Sequence, residues 1–225
     1  NGTIARLPAH LARLAKGAAV IGLPLPALDL EARAAALLKA NGLEDAVLRF
    51  TLTRGSGPRG VLPPAVPTRT LVLTAAPPPG PMPPARLVIA RGTRRNERSP
   101  LSGIKSLNYL DNILARQEAA TAGADDAVLL NTQDRVAETT IANLFAVIDG
   151  DLVTPPVCCG ALPGVMRADI LAHGARERSL TEADLLRASE LFLSSSLGLR
   201  PVRALGVRDL PEGAAVARLA PLLGL

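Results

Sequence analysis

A run of prolines divides this chain of 225 residues. The segment 77–84 reads PPPGPMPP. Proline lacks the backbone N–H that helix interiors and central strands require, so this segment is neither. Successive prolines favour a stiff, extended conformation that is typical of a spacer between folded units. The sequence therefore predicts a smaller N-terminal domain over 1–76, a linker over 77–84 and a larger domain over 85–225.

Two helices are predicted near the start of the chain. The first covers about residues 5–21, with Leu7 and Leu11 on one face. The second begins after Asp29, whose side chain can accept backbone N–H bonds, and ends at Asn41-Gly42. Both helices lie before any strand-like pattern.

Strands follow in the N-terminal domain. Apolar and polar residues alternate over 46–53 and 70–74, which indicates half-buried strands. The dipeptide Asn1-Gly2 is typical of a two-residue hairpin turn, yet no strand precedes it. We therefore expect one or two N-terminal strands of the domain to be missing from this sequence.

The second half also mixes helices and strands. Strands are predicted at 86–90, at 144–148 and 152–154 around an Asp149-Gly150 turn, and at 191–193. Helices are predicted after Lys105 with an apolar side of Leu107, Leu110, Ile113 and Leu114, over 164–173, and after a capping box of Thr181 and Asp184. The fold class is therefore α/β (α+β).

Composition excludes several classes of protein. The formal net charge is +5, but the chain has no tryptophan, one tyrosine and three phenylalanines, so it lacks the stacking platforms of single-strand nucleic-acid binders. The basic pair Arg94-Arg95 is interpreted as part of a solvated basic face, with a site for small anionic substrates as the next interpretation. No membrane-spanning or signal segment is recognised. Since Cys158 and Cys159 are adjacent and cannot link distant segments by a disulfide, we expect the protein to reside in the reducing cytoplasm. We expect no membrane partner.

Lys105 is one of only three lysines among 25 basic residues. A primary amine can attack a carbonyl and form a Schiff base, whereas a guanidinium cannot lose its proton to do so. A lone lysine is more often a solvated surface charge, so the surrounding motifs decide between the two interpretations.

One motif contains this lysine, and two further motifs follow it in the chain. They read GIKSLNYL at 103–110, ETTIANLF at 138–145 and GALPGVMR at 160–167. Together they resemble the class IV aminotransferases, the fold-type IV enzymes that use pyridoxal 5'-phosphate. The resemblance covers nearly the whole chain and implies a two-domain fold similar to D-amino acid aminotransferase, with a smaller α/β domain and a larger strand-rich domain. It also implies a homodimer. The sequence contains no recognisable set of metal ligands.

The resemblance assigns the central chemistry to two residues. Lys105 corresponds to the lysine that forms a Schiff base with the cofactor and then moves protons on the substrate, so its amine should be partly desolvated. Glu138 corresponds to the carboxylate beside the pyridine nitrogen, which it keeps protonated so that the ring accepts electrons. From the residue alone, the favoured interpretation of Glu138 is an exposed strand-edge acid or an acid in a salt bridge to Arg135.

Other positions are matched to cofactor binding. A turn that starts at Gly164 exposes the amides of Val165 and Met166 at a helix N-terminus, an arrangement that binds anions such as phosphate. By resemblance, Ser195 and Arg6 also contact the phosphate. Tyr109 borders the cofactor or is an ordinary core or interface tyrosine.

Substrate contacts are predicted in the loop at 53–60. Arg59, with Arg54 as a second candidate, is expected to hold a substrate carboxylate. D-amino acid enzymes usually carry a histidine where Val61 stands, and a threonine where Met166 stands. The segment 196–202 likewise resembles the lyases of the family more than its aminotransferases.

The resemblance therefore favours the 4-amino-4-deoxychorismate lyases, which form 4-aminobenzoate and pyruvate for folate synthesis. A branched-chain or D-amino acid aminotransferase is the first alternative, because it needs the same cofactor machinery. A pyridoxal-phosphate-binding homologue without turnover is the second. Cys158 and Cys159 are interpreted as partly buried loop thiols.

Overall fold

A computed structural model describes residues 3–211 and 213–225. The predicted turn at Asn1-Gly2 lies outside the described residues. The chain divides into two compact units, Asn1–Pro81 and Met82–Leu225. The division falls within the proline-rich segment 77–84.

The N-terminal unit contains two helices followed by an antiparallel strand pair. These elements are α1 (Leu7–Val20), α2 (Leu30–Asn41), β1 (Val47–Thr53) and β2 (Thr70–Ala76). The predicted cap of α2 is confirmed, since Asp29 Oδ1 accepts a hydrogen bond from the Ala32 backbone N–H at 3.2 Å. The two strands pair along their whole length, from Val47 opposite Ala76 to Thr53 opposite Thr70.

The C-terminal unit is built around one large mixed sheet. Its strands are β3 (Ala85–Ile89), β4 (Asp126–Leu130), β5 (Val136–Thr139), β6 (Asn143–Ile148), β7 (Asp151–Thr154), β8 (Arg176–Glu177), β9 (Glu190–Ser195), β10 (Gly198–Leu205) and β11 (Arg208–Asp209). Its helices are α3 (Leu110–Thr121), α4 (Val165–Ala172), α5 (Glu182–Arg187) and α6 (Ala214–Leu222). The strand order is β5-β4-β3-β10-β9-β6-β7-β8, with β11 paired to β10. Parallel and antiparallel pairs are both present.

Both faces of this sheet are covered at β6 and β9, because successive side chains of a strand point to opposite faces. Leu144 and Leu193 belong to one buried cluster. Phe145 and Phe192 belong to another, which also contains residues of α4 and α6. The two phenylalanine rings stack with centroids 5.0 Å apart. The burial of both faces explains why these strands are continuous apolar runs.

Helix α3 differs from its sequence-based prediction. It begins at Leu110, and the side predicted to be apolar core is exposed, at 70% for Leu110 and 49% for Ile113. The helix instead packs through Ala115 and Ala119 against a cluster that includes Ala127 of β4. Small alanine side chains let the helix approach the sheet closely, and this leaves its larger apolar residues outside.

Strand β10 and helix α6 were not predicted. Pro201 lies inside β10, opposite Phe192 of β9, and a proline argues against an interior strand. Helix α6 is capped by Glu190, whose carboxylate accepts the Ala215 backbone N–H at 3.0 Å. That cap comes from a residue distant in sequence, so the local pattern carries no sign of it. Over residues 3–211 and 213–225, every helix is too short or too polar to span a bilayer.

Candidate active site

Lys105 lies in an extended loop between a 3₁₀ turn at Pro100–Gly103 and helix α3. Its Nζ donates a hydrogen bond to Tyr109 Oη at 3.0 Å and lies 5.4 Å from the centre of that ring. Tyr109 is the residue that precedes the first turn of α3. Lys105 itself is exposed, so the desolvation expected around its amine is not supplied by the surrounding residues of this unit.

Glu138 is held in the middle of β5 by three groups. Its side chain is 7% exposed, and Oε1 lies 3.2 Å from Arg95 Nη2. Oε2 accepts hydrogen bonds from the Leu162 backbone N–H at 2.9 Å and from Asn143 Nδ2 at 3.3 Å. Both carboxyl oxygens therefore have partners, and the predicted alternative pairing with Arg135 is not the arrangement found.

Burial gives the Glu138 carboxyl an unusual proton affinity. It raises the pKa of Glu138 from 4.5 to about 7, because removing a carboxylate from water disfavours the charged form. Four groups oppose that rise: Arg95, the Leu162 N–H, Lys105 and Arg167. A carboxyl with this pKa exchanges a proton readily near neutral pH, which suits a partner such as a pyridine nitrogen.

The turn before α4 is tied directly to Glu138. Asn143 Nδ2 donates to the Leu162 carbonyl at 2.9 Å as well as to the Glu138 carboxylate. Gly164 is the N-cap of α4, and as a glycine it brings no side chain of its own to cap the helix. A Cβ atom on Gly164 would overlap Asn143 Oδ1, so only glycine fits. The helix N-terminus formed by Val165 and Met166 is thus fixed relative to the buried carboxyl.

Two serines at the end of β9 differ in the hydrogen bonding of their hydroxyl groups. Ser195 Oγ accepts a hydrogen bond from the Leu197 backbone N–H at 3.1 Å and so shapes the turn into β10. Ser194 Oγ is buried and has no hydrogen-bond partner among the residues that the structure describes. Alternation along the strand puts Ser194 on the face of Phe192, which packs with α4 residues. The sequence predicts Ser195 as a phosphate contact, and the structure adds Ser194 as a candidate polar contact on the α4 side of the sheet.

The predicted arginines of the N-terminal unit lie in different settings. Arg6 precedes α1 in a left-handed conformation with φ of 54°. Arg54 Nη2 donates to the carbonyls of Ile21 and Gly22 at 2.5 and 3.1 Å, so its guanidinium ties the strand end to the turn after α1. Arg59 is exposed in the loop between β1 and β2.

Sequence analysis missed two residues that shape this site. Arg95 was interpreted as part of a solvated basic face, but its side chain is only 15% exposed and is paired with Glu138. Asn143 is the first residue of the otherwise apolar strand β6. An asparagine next to a run of buried apolar residues needs hydrogen-bond partners, and this was the available signal for its role. Arg95 is remote from Glu138 in sequence, and Asn143 reaches Leu162 from the far side of a hairpin, so the local pattern did not reveal these contacts.

The two thiols form no disulfide: Cys158 is exposed and Cys159 is buried. Cys159 Sγ lies 3.8 Å from Ser179 Oγ. Within the described ranges, no group of three or more histidine, cysteine, aspartate or glutamate side chains is arranged to hold a metal ion.

Comparison with known proteins identifies the family. Residues 1–205 match the family model described as amino-transferase class IV. A protein of Methanocaldococcus jannaschii named "Putative branched-chain-amino-acid aminotransferase" is 34% identical over 211 residues, which are 87% of this chain and 72% of that protein. The chain belongs to the class IV aminotransferase family.

Solved structures of this family agree with the fold. The 4-amino-4-deoxychorismate lyase of Pseudomonas aeruginosa is 36% identical, with a TM-score of 0.84, covering 99% of this chain and 86% of that one. The branched-chain amino acid aminotransferase of Escherichia coli is 28% identical with a TM-score of 0.85, covering 96% and 77%. Another structure of a branched-chain amino acid aminotransferase is complexed with N-(5'-phosphopyridoxyl)-L-glutamate. The predicted fold class, a mixed α/β architecture with a strand-rich larger part, is confirmed. The relatives carry names of both activities, so the family does not by itself determine the reaction.

Proposed function

We propose that this chain binds pyridoxal 5'-phosphate and converts 4-amino-4-deoxychorismate into 4-aminobenzoate and pyruvate, a step of folate synthesis. The observation that carries the cofactor proposal is the buried carboxyl of Glu138, joined through Leu162 and Asn143 to the turn that opens α4. Such an arrangement offers a partner for a ring nitrogen and an anion-binding helix N-terminus within one rigid framework.

The residues of the C-terminal unit fit this cofactor. The N-cap residue of α4 is a glycine that provides no side-chain cap, and the Ser194 hydroxyl is buried without a partner among the described residues. Both features suit a ligand with hydrogen-bonding oxygens. In the proposal the cofactor is held by Lys105, Tyr109, Glu138, Val165, Met166 and Ser195. The roles of Arg6 at the phosphate and of Arg59 and Arg54 at the substrate remain predictions from the family resemblance.

Pyridoxal phosphate, when bound, supplies an electron-withdrawing ring that stabilises negative charge on the carbon that carries the substrate amine. Lys105 Nζ takes the proton from that carbon. The C–O bond to the enolpyruvyl group then breaks, and that group takes up a proton and leaves as pyruvate. Glu138 holds or releases its proton toward the ring nitrogen, a task that suits its pKa of about 7. Tyr109 Oη keeps the lysine amine oriented through the hydrogen bond at 3.0 Å.

Met166 favours the lyase over an aminotransferase. The D-amino acid enzymes of the family usually place a threonine at this position, and a threonine side chain carries a hydroxyl that can form hydrogen bonds. Met166 instead is buried in an apolar cluster with Phe145 and Ile170, so it offers only its backbone N–H. Val61, at the usual histidine position, is exposed and cannot donate a hydrogen bond to a carboxylate from its side chain. The identity of 36% to the lyase of Pseudomonas aeruginosa supports the same conclusion.

A branched-chain or D-amino acid aminotransferase is the second candidate. The relative from Methanocaldococcus jannaschii, which is 34% identical, is named for the branched-chain activity. Lys105 would then return the proton instead of allowing elimination, so Lys105 and Glu138 would keep their roles. Only the groups that select the substrate differ between the two candidates.

A second copy of the chain is the proposed partner, and no nucleic acid or membrane is expected. Four apolar residues at and just before the start of α3 are between 49% and 70% exposed, namely Leu107, Leu110, Ile113 and Leu114, and a homodimer would cover them. The free thiols Cys158 and Cys159 are compatible with a reducing cytoplasmic location. Sedimentation of the wild type and of Leu110→Glu tests the dimer, since the charged variant should sediment as a monomer.

Product analysis tests the reaction. The full chain with pyridoxal phosphate is mixed with 4-amino-4-deoxychorismate and no keto acid. Equal amounts of 4-aminobenzoate and pyruvate are expected, with none from Lys105→Ala and unchanged yields from the matched control Lys39→Ala. If only amino acids react, and only with a keto acid acceptor, the chain is an aminotransferase. A cofactor spectrum that responds to no amine substrate would make it a binding homologue without turnover.

A further inference from the structure

The side chain of Arg95 joins four segments of the C-terminal unit. Its Nε donates to the Gly160 carbonyl at 3.0 Å, and its Nη2 donates to the Ser102 carbonyl at 3.1 Å. The same Nη2 lies 3.2 Å from the Glu138 carboxylate, and Nη1 lies 3.5 Å from Asn112 Oδ1. The planar fork of a guanidinium allows these contacts at once, whereas a lysine ammonium has no such geometry.

The path of this side chain depends on Gly160. That residue has φ of 97°, and a Cβ atom there would lie 2.8 Å from Arg95 Cγ. An alanine at 160 would therefore push the arginine stem away and displace its guanidinium. Gly160 also begins the motif that leads to α4, so the arginine connects the buried carboxyl to this motif.

The contact with Asn112 extends the arrangement to the turn after β5. Asn112 is buried on α3, and its Nδ2 donates to the Thr140 carbonyl at 2.7 Å. Thr140 Oγ1 and N–H are both hydrogen-bonded to the buried Asp126. The residues that follow Glu138 are thus fixed from two sides, and the carboxylate has little freedom to follow a displaced arginine.

We propose that Arg95 is a positioning residue for the reaction: it fixes the Glu138 carboxylate and links it to the segment that carries Lys105 and to the turn that opens α4. This inference rests on the proposed cofactor role of Glu138. It assigns a function to an arginine that the family resemblance left without one. Ser102 lies three residues before Lys105, so one guanidinium connects the strand of the carboxylate with the loop of the amine.

Arg95 also lowers the pKa of the Glu138 carboxyl and so opposes the larger effect of burial. The charged groups that act on Glu138 are Arg95, Lys105 and Arg167, and Arg95 is the strongest of the three. Each favours the carboxylate form and opposes the effect of burial. Removing or displacing the Arg95 guanidinium should therefore raise the pKa of Glu138 further, while a general loss of stability would not.

The titration of Glu138 tests this in the full chain without added cofactor or substrate. The glutamate carboxyl carbons are labelled with ¹³C, and the Glu138 signal is identified by its loss in Glu138→Gln. Arg95→Gln is expected to raise the pKa of Glu138 by roughly one unit. Arg95→Lys should raise it less, because it keeps a charge without the fork. Gly160→Ala should shift it in the same direction by moving the unaltered arginine.

Matched controls separate positioning from simple destabilisation. Arg94→Gln removes the neighbouring charge, which pairs with the exposed Asp134 at 3.3 Å. Gly174→Ala places alanine at a similar φ of 100° with no atom within 4 Å of the new Cβ. Both should leave the Glu138 titration unchanged. If Arg95→Gln does not fold, Arg95→Lys and Gly160→Ala decide the result.

The proposal is overturned if Arg95 variants and Gly160→Ala titrate like their controls. Because no cofactor or substrate is present, this result is independent of the product assay. A failed lyase assay with shifted titrations would reject the proposed reaction and keep Arg95 as a determinant of the carboxyl. Unshifted titrations with an active lyase would reject the role of Arg95 and keep the proposed reaction.

Discussion

The two units of the chain fix their candidate functional residues in different ways. In the C-terminal unit, β4, β5 and nearly all of β6 and β9 are buried, and Glu138 has partners on both carboxyl oxygens. In the N-terminal unit, both strands are only partly buried, and Arg59 lies in an exposed loop. Glu138 and the turn that opens α4 are therefore held by the core, whereas Arg59 is not.

This difference suggests how one family supports two reactions. Proton transfer requires a fixed geometry between amine, carboxyl and anion-binding turn, and the buried contacts of Asn143 and Leu162 provide it for the carboxyl and the turn. Selection of a substrate can change with a few exposed loop residues at little cost to folding. We therefore expect substitutions at the buried positions Glu138 and Gly164 to affect chemistry and stability together, and those at Arg59 to affect substrate binding alone.

The largest effect is expected for Lys105→Ala. Turnover should fall by at least about 10²–10⁴-fold, the range of general acid–base catalysis, because no other amine is held by Tyr109. The free energy of unfolding should stay nearly constant, since the side chain is exposed. Steady-state kinetics and urea unfolding measure the two quantities. Lys39→Ala is the control, and a comparable loss of turnover there would remove the special role of Lys105.

Glu138→Gln should change how stability depends on pH. The folded chain without cofactor binds the Glu138 proton up to pH of about 7, whereas an ordinary glutamate releases it near 4.5. The protonated Glu138 therefore makes its whole contribution to the free energy of unfolding below pH 4.5. That contribution, a few kcal/mol in total, is lost as the pH rises through about 7. Urea unfolding of both proteins from about pH 4 to about pH 8, which brackets the two pKa values, measures the difference. A pH dependence identical in wild type and Glu138→Gln would show that the carboxyl titrates normally.

Gly164→Ala tests the rigid link between the carboxyl and α4. The new Cβ would overlap Asn143 Oδ1, and relieving that overlap should cost roughly 1–3 kcal/mol of stability. The displaced turn should also weaken pyridoxal phosphate binding, measured by equilibrium dialysis. Gly103→Ala, where no atom lies within 4 Å of the new Cβ, is the matched control. Equal cofactor affinity in Gly164→Ala and Gly103→Ala would contradict the link.

The smallest effects are expected in the N-terminal unit, where substitutions of Arg54 and Arg59 should affect different properties. Arg54→Ala loses the bonds to the Ile21 and Gly22 carbonyls and should destabilise the protein by about 1 kcal/mol. Arg59→Ala should leave stability unchanged and raise KM by roughly tenfold, the value of one charge-assisted contact. Thermal unfolding and kinetics of both variants distinguish them. A KM effect confined to Arg54→Ala would reverse the two assignments.

Local signals predicted much of the fold. The caps at Asp29 and at Thr181 with Asp184 are short-range hydrogen bonds, and the structure confirms both. The Asp149-Gly150 turn between β6 and β7 is confirmed for the same reason. Strand β10 was missed because Pro201 argues against it, although its neighbours β3 and β9 supply the pairing.

Contacts between remote residues could not be predicted. The family motifs named Lys105 and Glu138, but they gave no sign that Arg95 and Asn143 hold the carboxyl. The apolar side of α3 followed a helical period correctly, yet the period does not tell a core face from an exposed one. Partners that come from separate elements, such as Arg95 and Glu138, require the folded chain.

The central claim is that the amine of Lys105 bonds to pyridoxal phosphate. The chain contains three lysines, Lys16, Lys39 and Lys105, so the bonded residue can be located without ambiguity. The chain is loaded with cofactor, reduced with borohydride, digested and analysed by mass spectrometry. We expect a phosphopyridoxyl group on the peptide that contains Lys105 and none on the peptides that contain the other two lysines. A group on Lys16 or Lys39, or no stable adduct, would contradict it.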